Sequence, residues 1–172
     1  MPVRRRDTTQ RDCRRFVRDL GLPAAGGIRE LLPAVEERSG HRILLAPAPV
    51  DSAQGVCGMW VRTMDGIDCI FVHERTSRAH QDHIIAHEVA HILLYDHHGS
   101  RAFPPRKPMT DRLITTLDPA AVKMMLGRSD YAYQDEREAE LIGSYLQRHV
   151  HRPGRGAEGH DRVADTLLRN RK

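Results

Sequence analysis

The sequence is poor in aromatic residues, and this shortage narrows the functions that it can support. Phe, Trp and Tyr together make up 5% of the 172 residues. Because proteins that bind single-stranded nucleic acid stack the bases on aromatic rings, we do not expect a surface of that kind. Long apolar runs are also missing, and none approaches the roughly 20 residues that a membrane-spanning helix needs. We therefore expect no membrane association.

Cysteine is scarce as well, and its spacing excludes the common cysteine-based sites. Cys13, Cys57 and Cys69 form no CxxC pair and cannot all pair with one another. Reduced thiols in a reducing compartment are the expected state. The basic N-terminus (MPVRRR) is followed by Asp7 and further polar residues, whereas a signal peptide would need an apolar stretch there. We expect a cytoplasmic protein.

Positive charge is in slight excess and is concentrated at the two ends of the sequence. The formal net charge is +4. Arginines crowd the first 18 residues, and the chain ends in Arg169, Arg171 and Lys172. Contact with an acidic partner such as nucleic acid is one interpretation. We prefer solvated helix faces and tails, because no recognised nucleic-acid motif accompanies the charge.

Hydrophobic periodicity predicts helices on either side of a small sheet. Apolar residues at helical spacing predict helices over 8–20, 28–39, 77–96 and 133–149. The short apolar run Ile43–Leu45, near two prolines, predicts an edge strand. Gly55–Arg62 and Ile67–His73 are strand-like and flank Asp65-Gly66, a strong hairpin signal. A small antiparallel sheet with helices before and after it predicts an α+β domain.

Two shorter helices are predicted downstream. Asp118 is typical of an N-cap and Pro119 of the first helical position, with Met124–Leu126 inside the helix. Beyond a Gly/Pro/Arg-rich linker, Val163–Leu168 is predicted to form a terminal helix. These helices would follow the sheet in an α+β arrangement.

His87-Glu88-Val89-Ala90-His91 is an HExxH motif inside the helix predicted at 77–96. At 1.5 Å per residue, its two histidines stand one turn apart, about 6 Å along the same face. This spacing lets both imidazoles converge on one tetrahedral zinc ion. Glu88 lies beside the metal, where its carboxylate can take a proton from zinc-activated water and pass it to a leaving amide nitrogen. The apolar flanks of the motif would anchor the helix in a core, as a metal site requires.

A third protein ligand is needed, and His97 is one candidate. It follows His87 by ten residues, the spacing of metzincin-type sites, but those sites need glycine where this sequence has Leu94. On a continuous helix, His97 would lie about 15 Å from His87 along the axis. We therefore expect His97 beside the site or exposed near the helix C-terminus, where an imidazolium is favoured.

The glutamate-rich helix at 133–149 offers the other candidates. Glu136 and Glu140 are four residues apart and share a face, so one can bind zinc while the other holds a ligating histidine. Glu138 lies on another face of that helix. We prefer Glu136 as the third ligand, with Glu138 as the alternative.

These segments resemble the ImmA/IrrE family of bacterial zinc metallopeptidases. The resemblance covers about residues 55–146 and includes the strand Ile67–His73, HEVAHILL at 87–94 and EREAELIGSYL at 136–146. It implies a minimal gluzincin-like fold, in which a small sheet packs on the active-site helix and a following helix supplies the third ligand. Glu140 stands where the family usually has Asn or Asp.

The resemblance also implies a role for each matching residue. His87, His91 and Glu136 would hold one zinc ion per chain, and Glu88 would be the general base. Family members typically cleave or regulate repressor-type transcription factors. The implied function is therefore a narrow-specificity endopeptidase whose substrate is a repressor-type regulatory protein, for example a helix-turn-helix repressor.

A non-catalytic zinc-containing regulator that binds a transcription factor or nucleic acid is the main alternative. It is credible because no oxyanion donor is obvious: Tyr95, His98 and Tyr145 are candidates, each more readily given a structural role. If the enzyme interpretation holds, the strand Ile67–His73 would bind an extended substrate by backbone pairing, provided that it is an edge strand.

The domain prediction follows from the length of the chain, which suits one domain with its own core. We predict a single metallopeptidase domain over 1–150, with a helical N-terminal part at 1–40 and a catalytic core at about 41–150. Residues 151–172 would be a linker and a basic C-terminal tail or helix.

Overall fold

A computed structural model describes residues 3–48, 58–98, 122–126 and 133–151 of the chain. In chain order its elements are α1 (Val3–Asp19), a 3-10 helix (Ile28–Leu31), α2 (Leu32–Ser39), β1 (Arg42–Pro47), β2 (Gly58–Thr63), β3 (Ile67–Val72), α3 (Arg78–His98), β4 (Val122–Leu126) and α4 (Tyr133–Val150). Helices and a small sheet follow one another in this order, which confirms the α+β class. None of the helices in these ranges has the length and apolar character that a bilayer crossing requires.

The four strands form one sheet in the order β1–β3–β2–β4. β2 and β3 are the predicted hairpin, and the N–H of Gly66 closes its turn by donating to the Thr63 carbonyl at 3.1 Å. Gly66 has a φ of 81°, a conformation that favours glycine. β1, however, runs parallel to β3. The sheet is therefore mixed rather than antiparallel, because β1 joins the second hairpin strand and not the first.

Two expectations about the sheet are not met, one for the position of β3 and one for residues 122–126. β3 lies between β1 and β2, so both of its edges are already hydrogen-bonded and it cannot accept an extended peptide. β1 is an edge strand of the described sheet, as predicted. The helix predicted through Met124–Leu126 is wrong, because residues 122–126 form β4 and pair antiparallel with β2. Pairing with a strand already in place outweighs a weak local helical signal. Asp118 and Pro119 lie outside the described residues.

Helix α3 is the central element and packs against one face of the sheet. It begins after Ser77, whose Oγ accepts a hydrogen bond from the N–H of His80 at 3.2 Å and caps the helix. On the sheet, Trp60 and Ile70 are fully buried on the side of this helix. All the predicted apolar flanks of the motif are at most 5% exposed: Ile84, Ile85, Val89, Ile92 and Leu93. The motif is therefore held in the core.

Helix α4 packs closely on α3, and Gly143 permits the contact. A Cβ at Gly143 would lie 3.2 Å from backbone atoms of Ala86 and His87. Glu136 precedes Gly143 by two helical turns and shares its face, so the close contact also brings Glu136 toward the motif. Helix α1 covers another side of α4 with Cys13 and Val17. Helices α1 and α2 thus share the main hydrophobic cluster with α3 and α4.

The N-terminal helices agree with the predicted segments, with α1 beginning earlier than expected at Val3. Gly40 ends α2 in a left-handed conformation with a φ of 72°, as the Ser39-Gly40 stop signal suggests. The predicted terminal helix Val163–Leu168 lies outside the described residues. So does Cys57, while Cys13 and Cys69 are buried free thiols, as expected for these two.

Candidate metal centre

Three side chains from two helices converge beside the HExxH motif. Nε2 of His87 and Nε2 of His91 are 3.1 Å apart. Glu136 places Oε2 at 3.5 Å from Nε2 of His87 and Oε1 at 3.6 Å from Nε2 of His91. Within the described parts of the chain, this is the one group of three or more His, Cys, Asp or Glu residues arranged so that it could hold a metal ion.

The separations of these atoms suit a shared cation. A zinc ion with ligands at 2.0–2.1 Å in a tetrahedron keeps those ligands about 3.3 Å apart. Here the two nitrogens are 3.1 Å apart, and each has a different Glu136 oxygen at 3.5 or 3.6 Å. Without a cation between them, the two imidazole nitrogens and the carboxylate would have too few hydrogens to form a hydrogen bond at each of their three contacts. The donor set therefore fits a divalent metal ion.

The three residues of the cluster differ in burial. The side chain of His91 is 2% exposed, whereas those of His87 and Glu136 are 16% and 27% exposed. Burial, and then the nearby His91, lower the pKa of His87, while Glu136 and Glu140 oppose this shift. A lowered pKa favours the neutral imidazole, which is the form that binds metals.

Glu140 contacts the other nitrogen of His87. Its Oε2 lies 3.4 Å from Nδ1 of His87, and its Oε1 lies 3.7 Å from Nε2 of His83. A carboxylate at Nδ1 favours the tautomer with its proton on Nδ1, which leaves Nε2 free to bind a metal. The structure thus gives Glu136 and Glu140 the two different positions that their spacing predicts.

Glu88 is buried, with 6% of its surface exposed, and lies against the start of β2. A Cβ at Gly58 would lie 3.0 Å from Oε1 of Glu88 and would overlap Cγ2 of Ile84. Gly58 therefore makes room for the carboxylate by having no side chain. This role of Gly58 was not predicted from the sequence, although an isolated glycine within a strand-like run often marks such a close approach.

The two alternative third ligands lie on the other side of α4. Glu138 and His97 line a cavity of about 200 Å³ together with Cys13 and Phe16. The ring of His97 packs edge-on against Phe16, with centroids 5.1 Å apart. Burial, and then Glu138, raise the pKa of Cys13 to about 11. The structure therefore brings Glu136 to the histidine pair and does not bring Glu138 or His97.

Two of the candidate oxyanion donors make structural contacts. Tyr95 is buried and packs edge-on against Trp60, with ring centroids 5.7 Å apart. Tyr145 lies under the guanidinium of Arg148 at 5.6 Å. The side chain of the third candidate, His98, lies outside the described residues.

A buried ion-pair network, which was not predicted from the sequence, holds α3 on the hairpin. Arg62 is 3% exposed and contacts Asp68 at 2.7 Å and Asp96 at 2.7 Å, and Trp60 donates its indole N–H to Asp68 at 2.9 Å. Burial alone would lower the pKa of Arg62, but hydrogen bonds to both aspartates raise it above its usual value. The signal was present, since Arg62 and Asp68 are directly opposite in the hairpin register.

The arrangement combines a cluster that could hold a metal ion with a buried carboxylate, Glu88, on the residue next to His87. Comparisons with protein-family models, with curated proteins and with solved structures found no match to this chain. The function therefore has to be inferred from the geometry and chemistry of the cluster.

Proposed function

We propose that this chain is a zinc-dependent metallopeptidase of the ImmA/IrrE type. The observation that supports it is the convergence of His87 and His91, one helical turn apart, with Glu136 of another helix at 3.1 to 3.6 Å. Two histidines and one glutamate are the donor set of catalytic zinc in gluzincin-like peptidases, and three protein ligands leave one position for water or substrate. We propose one zinc ion per chain.

Each residue of the cluster has a part in the proposed reaction. A zinc ion bound there would act as a Lewis acid that lowers the pKa of a coordinated water and polarises the scissile carbonyl. Glu88 would accept a proton from the attacking water and donate it to the leaving amide nitrogen. Glu140 would keep His87 in the metal-binding tautomer through Nδ1.

The proposed substrate is an extended segment of a repressor-type regulatory protein in the cytoplasm. Since β3 is interior, we assign substrate pairing to β4, which pairs with β2 alone among the described strands. β2 also carries Gly58, which borders the carboxylate of Glu88. A peptide added along β4 would bind through backbone hydrogen bonds, with side-chain pockets providing the narrow specificity.

Glu88→Gln provides the test, because it removes the base and keeps the side-chain shape. Wild-type and variant protein are loaded with zinc, incubated with a proteome-derived peptide library, and new N-termini are identified by mass spectrometry. We expect about one zinc per chain in both proteins, with a rate lower in the variant by on the order of 10²–10⁴-fold. Cleavage by the zinc-loaded variant at the wild-type rate would contradict the role of Glu88.

A non-catalytic zinc-containing regulator is the second candidate. It is favoured by one observation, that the rings of Tyr95 and Tyr145 pack against Trp60 and Arg148, which gives both of these candidate oxyanion donors a structural role. In this case zinc would organise a surface that binds a transcription factor. Zinc-loaded wild type that binds a repressor without producing a cleavage product would favour this function over the peptidase.

A further inference from the structure

Helix α1 carries the whole excess of positive charge. Its sequence holds seven arginines and three aspartates, a net charge of +4, which equals the formal net charge of the entire chain. The rest of the sequence contains twenty basic and twenty acidic residues. No residue of α1 belongs to the candidate metal centre, whose three residues lie on α3 and α4. The charge on α1 therefore needs a separate explanation.

Four arginines of α1 form one exposed line, here named the arginine stripe: Arg11, Arg14, Arg15 and Arg18. Their spacing of three, four and seven residues places them within an arc of about 100° and over about 10 Å of helix axis. Cys13 and Val17, on the opposite face, are buried in the main core. The helix is thus attached by its apolar face and presents the stripe to solvent.

We propose that the arginine stripe binds the phosphate backbone of duplex DNA. Guanidinium groups bind phosphate through two parallel hydrogen bonds and stay charged at every physiological pH. The stripe is about 10 Å long, which equals three rises of 3.4 Å along the duplex axis and so the axial span of four successive phosphates of one strand. Arg18 contacts Asp19 at 3.0 Å, but both side chains are largely exposed, so this weak pair exchanges readily for a phosphate.

The chemistry of the exposed face favours duplex DNA over other anionic partners. Between Gln10 and Asp19, every exposed residue of α1 is polar or charged. A protein interface would need apolar or aromatic anchors, and a membrane-surface helix would need an apolar face directed at the lipid. Single strands require stacking rings, and Phe16 is occupied by His97. Phosphate contacts alone suffice for binding a duplex without sequence preference.

The test measures binding of the full chain to a short fluorescein-labelled DNA duplex of arbitrary sequence, by anisotropy at several salt concentrations. For four phosphate contacts, log K should fall with log salt concentration with a slope of about −3.6. The stripe variant changes all four arginines to Gln. We expect its affinity at low salt to fall at least about tenfold and its slope to shrink by about one per arginine removed.

A matched control variant removes four exposed arginines elsewhere: Arg42, Arg75, Arg78 and Arg148. This control variant has the same net charge as the stripe variant. Its duplex affinity should depend on salt concentration with the same slope as that of the wild type. An equal loss of affinity in the control would overturn the proposal, because binding would then follow net charge. Circular dichroism checks folding, and if the stripe variant unfolds, single changes Arg11→Gln and Arg15→Gln should each lower the slope by about one.

Two further outcomes are decisive. A duplex affinity that does not change with salt concentration would overturn the proposal. Polyglutamate that displaces the duplex at equal charge concentration would also overturn it, since the partner would then be an acidic protein segment. Glu88→Gln should bind the duplex as wild type does, because the stripe is separate from the metal centre. The proposal and the peptidase function can therefore fail independently.

Discussion

At the scale of single residues, the cluster depends on which glutamate of α4 faces α3. Glu136 lies within 3.6 Å of both histidines, whereas Glu138, two residues later, points about 200° away and lines the cavity beside Cys13. Both residues have the same chemistry and nearly the same position in the sequence. They therefore form a matched pair for testing the third ligand.

We expect Glu136→Gln to weaken zinc binding by at least about tenfold, because the cluster loses its charged ligand. Glu138→Gln should bind zinc with wild-type affinity, since its side chain faces the other side of the helix. Zinc affinity is measured by competition with a chromophoric chelator. Wild-type affinity in the Glu136 variant would exclude it as a ligand.

The contact between Glu140 and His87 gives a second prediction at this scale. Glu140→Ala removes the carboxylate 3.4 Å from Nδ1 of His87 and should lower zinc affinity by about 10–100-fold, as such supporting groups do elsewhere. His83→Ala removes the other neighbour of Glu140 and should leave zinc affinity near that of the wild type. The same chelator competition measures both, and equal affinities in all three proteins would show that Glu140 has no such role.

At the scale of elements, the distance between α3 and α4 determines whether the three ligands can meet. Gly143 sets this distance, since any side chain there would press on the backbone at Ala86 and His87. Backbone atoms cannot move aside as a flexible side chain can. The two helices would have to separate, and Glu136, on the same face of α4, would move away from the histidine pair.

Gly143→Ala should therefore destabilise the protein by about 1–3 kcal/mol, the usual cost of overpacking, and should also weaken zinc binding. Gly27→Ala is the control, because no atom lies within 4 Å of a Cβ at that position and its φ of −171° is open to any residue. Urea unfolding and zinc titration are compared in both variants. A Gly143 variant with wild-type stability and zinc affinity would show that this contact does not set the helix spacing.

At the scale of the whole molecule, one buried network fastens α3, the helix of the HExxH motif, to the sheet. Arg62 of β2 joins Asp68 of β3 to Asp96 near the end of α3. Asp68 is fully buried, so its charge depends on Arg62 for compensation. The network thus links the two strands of the hairpin to a helix residue that is 34 positions away from Arg62 in the sequence.

Removing one partner of this network should be costly. We expect Arg62→Ala to destabilise the fold by about 3–5 kcal/mol, because it leaves the buried charge of Asp68 uncompensated. Arg29→Ala breaks a half-exposed pair with Asp82 and should cost about 0–1 kcal/mol. Urea unfolding measures both. Similar losses of unfolding free energy in the two variants would mean that burial does not make the removal of Arg62 more destabilising.

Most local features were predictable from the sequence, with the exception of residues 122–126, where a helix was predicted and β4 forms. Periodicity predicts the four α-helices, and Asp65-Gly66 predicts the hairpin, because each depends on residues within a few positions of one another. The spacing of His87 and His91 likewise determines their juxtaposition, since four residues make about one helical turn. These predictions needed no knowledge of the rest of the chain.

Tertiary structure alone decided the features that depend on packing between distant segments. Whether Glu136 or Glu138 meets the histidines depends on the rotation of α4 against α3, which the contact at Gly143 sets. The pairing of β1 with β3 and the strand at 122–126 depend on which edges of the hairpin are open to them. The amino-acid pattern alone was thus enough to predict that His87 and His91 lie side by side on one helix, because both are on one turn. The approach of Glu136 to this pair needed the packing of two helices, which no local pattern encodes.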